Sequence, residues 1–263
     1  MGLARSAWTA IPEGKVKQWL RLVINNYRQR GTAHFRSENG VYIAETAGFK
    51  VSSAAPLFDL RRIMQQFESR YTVSAGETVV DAGAFHGLLT IVFAAQVGPS
   101  GRVLSFEPDS INCERVLRNL LLNGSPAHVE LIPQGLWNCE AEIEFCERGA
   151  LGSSAFWDGP GGRKVQIQVT TLDRVVLERK LTRLDFVKMN IEGAEIKALE
   201  GAAETIRRFK PHFAISSNHF VDGNIAAGVR TCGVIEKLLS QHGYTVETAE
   251  FGSEWVTYGI PNR

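Results

Sequence analysis

A buried strand that leads through a glycine-containing turn into a helix constrains this chain more than any other feature. Thr78–Val80 is a run of β-branched residues, the turn contains Asp81, Gly83 and Gly87, and Leu88–Val97 has the composition of a buried helix. The same order of strand, turn and helix recurs downstream. Such alternation indicates an α/β fold with a parallel sheet, helices on both faces and ligands beyond the carboxyl ends of the strands.

The remaining elements of residues 73–263 follow from periodicity. We expect a mostly parallel sheet with an antiparallel C-terminal edge strand, because the chain closes with two strands in quick succession. A glycine-rich loop at 149–162 lies between two alternating strands and predicts a mobile flap. Strands are predicted at 101–106, 129–133, 143–145, 165–169, 186–191, 212–216, 245–249 and 255–260, and helices at 110–122, 194–209 and 234–242.

Residues 1–72 have a different pattern and are predicted to form a helix–hairpin–helix appendage. A helix is expected at 15–30, a hairpin at 34–43 around Asn39-Gly40, and a second helix at 57–71. The first helix carries apolar residues at three- and four-residue steps and basic residues elsewhere. We favour a helix that docks through its apolar stripe; the alternative is that it contacts a membrane surface or an anionic substrate.

Composition excludes several classes of protein. The chain has 263 residues, and its 29 Lys and Arg against 28 Asp and Glu give a net charge of +1, which argues against nucleic acid as a partner. Four scattered cysteines predict neither a disulfide framework nor a zinc site, and no metal is expected. No transmembrane segment or secretion signal is evident, so the expected location is cytoplasmic.

The turn after the first strand of the parallel sheet predicts a small polar ligand. It matches neither the dinucleotide fingerprint nor a Walker loop. Asp81 would repel a pyrophosphate and suits a cofactor that carries an ammonium group, such as S-adenosylmethionine, whose product is S-adenosylhomocysteine. Glu107 ends the next strand, 24 residues beyond Gly83, near the spacing at which an acid binds ribose hydroxyls. NAD remains the competing cofactor at this point.

Several motifs in the same order resemble the FkbM-type methyltransferases. The resemblance covers roughly residues 77–218 and does not extend to the N-terminal third. It is carried by Thr78–Thr90, Gly98–Pro108, Thr171–Asp173, Asp185–Glu195, Leu199–Ala202 and Lys210-Pro211.

The resemblance implies a class I methyltransferase (Rossmann-like) fold, S-adenosylmethionine as methyl donor and a hydroxyl group as the usual acceptor. Relatives act on sugars, glycolipids and secondary metabolites, so a small molecule or glycoconjugate is the expected substrate. The segment after the third strand of the parallel sheet is where such enzymes bring groups to the adenine. The predicted cofactor residues are Asp81, Gly83, Ala84, Phe85, Gly87, Glu107, Pro108, Gly135, Leu136, Trp137 and Asn190.

Two positions depart from the family pattern. The common Gly-Ala-Asn turn is here Gly83-Ala84-Phe85, which replaces a polar contact by an aromatic face. The common Lys-x-Asp-x-Glu-Gly is here Lys188-x-Asn190-x-Glu192-Gly193, so Asn190 cannot serve as a base or as a charged ligand of a hard metal.

Candidate catalytic residues lie within or directly after the predicted strands 186–191 and 212–216. Glu192 is the candidate base, and Lys188 is expected to hold Glu192 or the acceptor oxygen. His219 would reach the same crevice with a pKa near the working range. Glu195 is expected mainly to stabilise a helix N-terminus.

Three other functions compete with methyl transfer to a hydroxyl. An NAD-dependent oxidoreductase would share the sheet and the acid at position 107. A nucleic-acid amino-methyltransferase is disfavoured because the sequence after the strand at 186–191 lacks an Asn/Asp-Pro-Pro-aromatic loop. A non-catalytic partner with this fold would explain why Phe85 and Asn190 depart from the family pattern.

Overall fold

The computed structural model describes residues 14–28, 33–46, 48–57, 60–149, 152–156 and 161–262. The predicted flap at 149–162 is therefore described only in part, since 150–151 and 157–160 lie outside these ranges. The chain divides into two compact units, 1–61 and 62–263. The sequence predicts a boundary after residue 72, whereas the chain divides after residue 61, within the helix Leu60–Glu68. Phe67 of this helix packs into the core of the second unit.

The described residues of the first unit, before the helix at which the chain divides, form one helix and a three-stranded antiparallel sheet. Asn39 and Gly40 both have positive φ angles, +49° and +79°, which is the two-residue turn that the Asn-Gly pair predicts. The third strand was not predicted, because four residues are too few for a clear alternation. The elements are α1 (Lys15–Arg28), β1 (Ala33–Glu38), β2 (Val41–Thr46) and β3 (Lys50–Ser53), in the order β1-β2-β3.

The apolar stripe of α1 is exposed, which corrects the prediction that the helix docks through it. Val16, Trp19, Val23 and Tyr27 are 45 to 68% exposed. The helix is instead joined to β1 by Asn26, whose side chain exchanges two hydrogen bonds of 2.7 Å with the backbone of Phe35. Amphipathicity predicted the helix correctly but not the face that is covered.

The second unit is built on a seven-stranded sheet in the order β12-β13-β11-β10-β4-β5-β6. The five strands from β11 to β6 are parallel, and β13 is antiparallel to both of its neighbours, so the antiparallel strand lies one position inside the edge. The strands are β4 (Thr78–Ala82), β5 (Arg102–Phe106), β6 (Val129–Ile132), β10 (Phe186–Met189), β11 (His212–Ser216), β12 (Tyr244–Phe251) and β13 (Glu254–Pro261).

A second, small sheet in the order β7-β9-β8 is inserted after β6. It consists of β7 (Gly135–Leu136), β8 (Ala141–Glu147) and β9 (Arg163–Thr170), and β8 and β9 form the predicted antiparallel pair. The helices of this unit are α2 (Leu60–Glu68), α3 (Leu88–Val97), α4 (Ser110–Leu122), α5 (Leu172–Glu178), α6 (Glu195–Glu200), α7 (Ala203–Phe209) and α8 (Thr231–Gln241). None of the helices in the described ranges is long and apolar enough to cross a bilayer.

The predicted helix at 194–209 is broken into α6 and α7 because another segment of backbone passes close to it. A Cβ on Gly201 would lie 2.0 Å from the carbonyl oxygen of Trp137. The helix ends at Glu200, and α7 begins at Ala203. The short helix α5 was missed by periodicity, although Thr171 caps it by accepting a hydrogen bond from the Arg174 backbone.

Both faces of the parallel sheet are buried, which explains why its strands are apolar runs. Successive residues of one strand belong to different cores: Val79 packs with Phe93 and Phe186 on one face, while Val80 packs with Leu104 and other residues on the opposite face. Helices cover both faces of such a sheet, so only the strand ends remain open to a ligand.

An ion pair lies inside this sheet between the two central strands. Asp81 of β4 and Lys188 of β10 are register neighbours, both buried, and the Lys188 ammonium donates to the Asp81 carboxylate at 2.9 Å. The same ammonium donates to the carbonyl oxygens of Ala82 and Gly83, and Thr90 donates to the other oxygen of Asp81 at 2.6 Å. These contacts hold the carboxyl ends of β4 and β10 together.

We expect Lys188→Met to lower the free energy of unfolding by about 3 to 5 kcal/mol, because it leaves a buried carboxylate without its cation. The double variant Asp81→Asn/Lys188→Met removes the charge and should be more stable than the single variant. Urea denaturation followed by circular dichroism measures both. A loss below about 1 kcal/mol in Lys188→Met would show that the pair does not hold the strands.

Candidate active site

The turn after β4 is shaped for close approach of backbone. Gly83 has a φ of +77°, and a Cβ at this position would lie 2.0 Å from the carbonyl oxygen of Asn190. Only glycine fits such a contact. The turns after β4 and β10 are therefore side by side, at the end of the sheet where ligands bind.

Phe85 occupies a backbone conformation that bulky residues rarely adopt. Its φ is +57°, in the left-handed region where asparagine is enriched among non-glycine residues. The asparagine common in the FkbM-like turn suits this geometry, so Phe85 keeps the backbone of the turn and changes only its side chain. Its ring packs on His86 with the centroids 4.3 Å apart.

Glu107 follows β5 and is buried, with 5% of its surface exposed. Its two carboxylate oxygens accept hydrogen bonds from the backbone of Phe85 at 2.7 Å and of Asp109 at 3.0 Å. Burial raises the pKa of Glu107 to about 7, although these two amides oppose the shift. A carboxylate has about four acceptor positions, so acceptor capacity remains for a ligand.

A cleft opens at the carboxyl ends of the strands, with about 710 Å³ of empty space if the open solvent at its mouth is included. Most of the residues predicted for the cofactor line it, together with the candidate base: Gly83, Phe85, Glu107, Pro108, Gly135, Leu136, Trp137, Asn190 and Glu192.

The carboxylate of Asp81 does not face this cleft, which corrects the argument that it meets a ligand ammonium. It is fully buried and accepts hydrogen bonds from Lys188 and Thr90. Lys188 likewise contacts Asp81 and two backbone carbonyls rather than Glu192, so it shapes the turn. The sequence placed both residues at the correct strand ends but could not show that they pair with each other.

Ala84 and Gly87 also lie outside the cleft lining. Ala84 is buried and its backbone donates to the carbonyl of Phe106 at 3.0 Å. Gly87 has a φ of +78° at the start of α3, where a Cβ would lie 3.1 Å from Val116. Ala84 and Gly87 therefore shape the turn through their backbone conformation and contacts.

Trp137 borders the cleft on the side of the small sheet. Its backbone donates to the carbonyl of Thr170 at 2.8 Å, and its ring stacks on Phe156 with the centroids 5.5 Å apart. Phe156 belongs to the described part of the glycine-rich loop. The stacking joins this loop to the segment that follows β6, at the side of the cleft where an adenine is expected.

Sequence reasoning missed the apolar wall that the small sheet contributes. The side chains on the inner faces of β8 and β9 alternate with outward-facing residues, and this alternation was the available signal. The unpredicted lining residues are Phe106, Asn112, Gln134, Ile143, Phe145, Gly152, Ser153, Ala155, Ile167, Val169, Ile191 and Ala194.

Asp109 was also missed, and it fastens the glycine-rich loop to the cofactor side of the cleft. Its fully buried carboxylate caps α4 by accepting from the backbones of Ile111 and Asn112. The other oxygen accepts from the backbone of Gly149 at 2.8 Å and from the Ser153 hydroxyl at 2.7 Å. An aspartate directly before a predicted helix was the signal for the cap.

Glu192, Glu195 and His219 come together at the other side of the cleft. His219 Nδ1 lies 3.2 Å from Glu195 Oε1, and His219 Nε2 lies 3.6 Å from Glu192 Oε2. Glu195 is fully buried and accepts from the backbones of Ile191 and Gly193, so it fixes the loop after β10. His219 does not line the cleft; it lies beside Glu192, which does.

The pKa values of this cluster are set by burial and by mutual charge. Burial by itself would lower the pKa of His219, but Glu195 and Glu192 outweigh it and raise the pKa to about 9. Burial raises the pKa of Glu192 above its ordinary value, His219 opposes this shift, and Glu195 adds to it. At neutral pH His219 is therefore a cation, not a base.

Comparison with known proteins decides between the candidate cofactors. The sequence matches the FkbM methyltransferase domain over residues 81–246, which is more than half of the chain. The chain belongs to the FkbM methyltransferase family. It is an S-adenosylmethionine-dependent methyltransferase with the class I, Rossmann-like fold, and the NAD-dependent alternative is excluded.

Two relatives illustrate how far this FkbM methyltransferase has diverged. It is 26% identical over 199 residues to the methyltransferase sdnD of Sordaria araneosa, a match covering 64% of this chain and 73% of that protein. It also resembles the crystal structure of the methyltransferase FkbM from Methylobacillus flagellatus KT, with a TM-score of 0.52 and 22% identity. That match covers 73% of this chain but only 46% of the bacterial one, and it supports the fold alone.

The cleft has the chemistry that S-adenosylmethionine requires. Glu107 offers acceptor positions to a ribose diol, and Gly83 lines the cleft in the adjacent turn. Apolar and aromatic side chains, including Leu136 and Trp137, line the side where the adenine is expected. Among the described residues, no group of three or more His, Cys, Asp or Glu side chains could hold a metal ion.

We expect S-adenosylhomocysteine binding near neutral pH to release protons. Ribose hydroxyls that donate to Glu107 stabilise its ionised form and lower its pKa from about 7. Glu107→Ala should abolish this release and weaken binding on the order of 10- to 100-fold, the effect of losing hydrogen bonds to a charged group.

Titration calorimetry in two buffers of different ionisation enthalpy measures both quantities. Glu204→Ala, which removes an exposed carboxylate from α7, is the matched control and should bind like the wild type. Unchanged affinity in Glu107→Ala would contradict the assignment of Glu107 to the ribose.

Proposed function

We propose that this methyltransferase transfers the methyl group to a hydroxyl oxygen of a small molecule or glycoconjugate in a biosynthetic pathway. Bound S-adenosylmethionine supplies an electrophilic methyl group on a positively charged sulfur. The residues of the cleft hold the acceptor oxygen in line with that methyl group, and such positioning is the main catalytic contribution in transfers of this kind.

The observation that carries the proposal is a carboxylate with a raised pKa in the wall of the cleft. Glu192 follows β10, lies beside the turn that contains Asn190, and lines the cleft. A hydroxyl is a poor nucleophile that must lose its proton during or after attack, and a base of raised pKa suits that task. Glu192 is accordingly the base in this proposal.

His219 is a positioning residue in the same proposal. Its imidazolium lies between Glu192 and the buried Glu195, so its positive charge keeps Glu192 ionised before the acceptor proton arrives. Lys188 acts further away, by fixing the turn through Asp81. Only Glu192 is proposed to touch the acceptor.

The near-neutral charge of the chain supports a small acceptor rather than nucleic acid. The loop after β10 carries Asn190-Ile191-Glu192-Gly193 instead of the Pro-Pro-aromatic sequence associated with methylation of base amino groups. Sugars, glycolipids and secondary metabolites with a free hydroxyl are therefore the acceptors to test first.

We expect Glu192→Gln to lower kcat about 10²- to 10⁴-fold with little change in the affinity for S-adenosylhomocysteine, because the amide keeps the shape but cannot take a proton. Release of S-adenosylhomocysteine over a panel of hydroxyl acceptors measures the rate. Glu204→Gln is the control. Full activity in Glu192→Gln would refute the assignment of the base, and no turnover with any acceptor would favour the non-catalytic partner.

The pH dependence separates the roles of Glu192 and His219. The rate should rise with pH through the raised pKa of Glu192 and fall as His219 loses its proton near pH 9. Because His219 lowers the pKa of Glu192, His219→Gln should move the rising limb to higher pH and remove the fall near 9. If His219→Gln lowered the rate but moved neither the rising nor the falling limb of the pH profile, the role of His219 would be purely structural.

A further inference from the structure

The exposed apolar stripe of α1 is unusual for a helix at a protein surface. Val16, Trp19, Val23 and Tyr27 are 68, 61, 45 and 67% exposed. Their spacing of three and four residues places them on one face of the helix. Single exposed apolar residues are common, but a continuous stripe with two aromatic rings indicates a surface that binds something.

The charge of α1 indicates which kind of surface it would bind. The helix contains Lys15, Lys17, Arg21 and Arg28 and no acidic residue, and of these Lys17 is buried. The remainder of the chain compensates this charge, since the net charge of the whole is only +1. The positive charge is thus concentrated on the same short helix as the apolar stripe.

We propose that α1 binds the surface of an anionic membrane, lying in the interface with its apolar stripe inserted among the lipids. Tryptophan and tyrosine favour this interface, and basic side chains are attracted to anionic headgroups. The aliphatic Val16 and Val23 gain from insertion into lipid but would gain nothing from a phosphate backbone. With 14 residues, the helix is too short to span a bilayer.

The proposal is independent of the reaction that the cleft performs. It concerns only the first unit, and its test requires no acceptor. It predicts that the full chain is found on membranes that carry negative charge, where an amphipathic acceptor would also accumulate.

Flotation of the full chain with lipid vesicles tests it. Binding is expected to vesicles with about 30% phosphatidylserine, and to be much weaker with pure phosphatidylcholine or when salt is raised from about 0.1 to 0.5 M. Trp19→Ser/Val23→Ser should reduce binding at least about tenfold, because it removes the inserted side chains. Arg21→Gln should reduce it about fivefold.

The chain provides a matched control on α4, which also exposes apolar residues. Leu117 and Leu121 are 56 and 71% exposed but lie beside the oppositely charged Glu114 and Arg118. Leu117→Ser/Leu121→Ser should bind vesicles like the wild type. Unchanged thermal unfolding and S-adenosylhomocysteine affinity in every variant show that the fold is intact.

Three results would overturn the proposal. The first is that the wild type fails to float with anionic vesicles. The second is that the α1 and α4 variants lose binding equally. The third is that a polyuridine RNA displaces the protein from vesicles and binds the Trp19→Ser/Val23→Ser variant as tightly as the wild type. The last result would identify α1 as a site for nucleic acid.

Discussion

The contact between the turns that follow β4 and β10 is the constraint on which the site depends. Gly83 allows the first turn to approach the carbonyl of Asn190, and the buried pair of Lys188 and Asp81 holds the two strand ends in register. With these turns fixed, Glu107 and Glu192 both line one cleft. Glu107, proposed to bind the ribose, and Glu192, the proposed base, are therefore held by segments that directly follow strands of the sheet.

The same region contains features that lower the stability of the fold and that involve residues proposed for ligand or acceptor binding. Glu107 is buried without a cation close enough to dominate its pKa, so its ionised form is disfavoured until a ligand donates to it. Phe85 and Glu192 have positive φ angles, +57° and +55°, which cost free energy in non-glycine residues. Departures from the local rules of folding are expected at functional sites, and here they occur on both sides of the cleft.

The sequence predicted those parts of the fold that depend on local pattern. The limits of α3, α4 and β11 were correct because continuous apolar or periodic runs end at clear turn signals. The break between α6 and α7 was not predictable, since it depends on backbone from Trp137 passing Gly201. The assignment of Asp81 to the ligand was wrong because its partner, Lys188, lies 107 residues away along the chain and no local pattern indicates the pair.

The crystal structure of the complex with S-adenosylhomocysteine tests the central claim most directly. We predict that both ribose hydroxyls donate to Glu107, that the adenine lies on the side of Leu136 and Trp137, and that the sulfur points towards Glu192. A ligand bound outside this cleft, or a ribose that makes no contact with Glu107, would contradict the account.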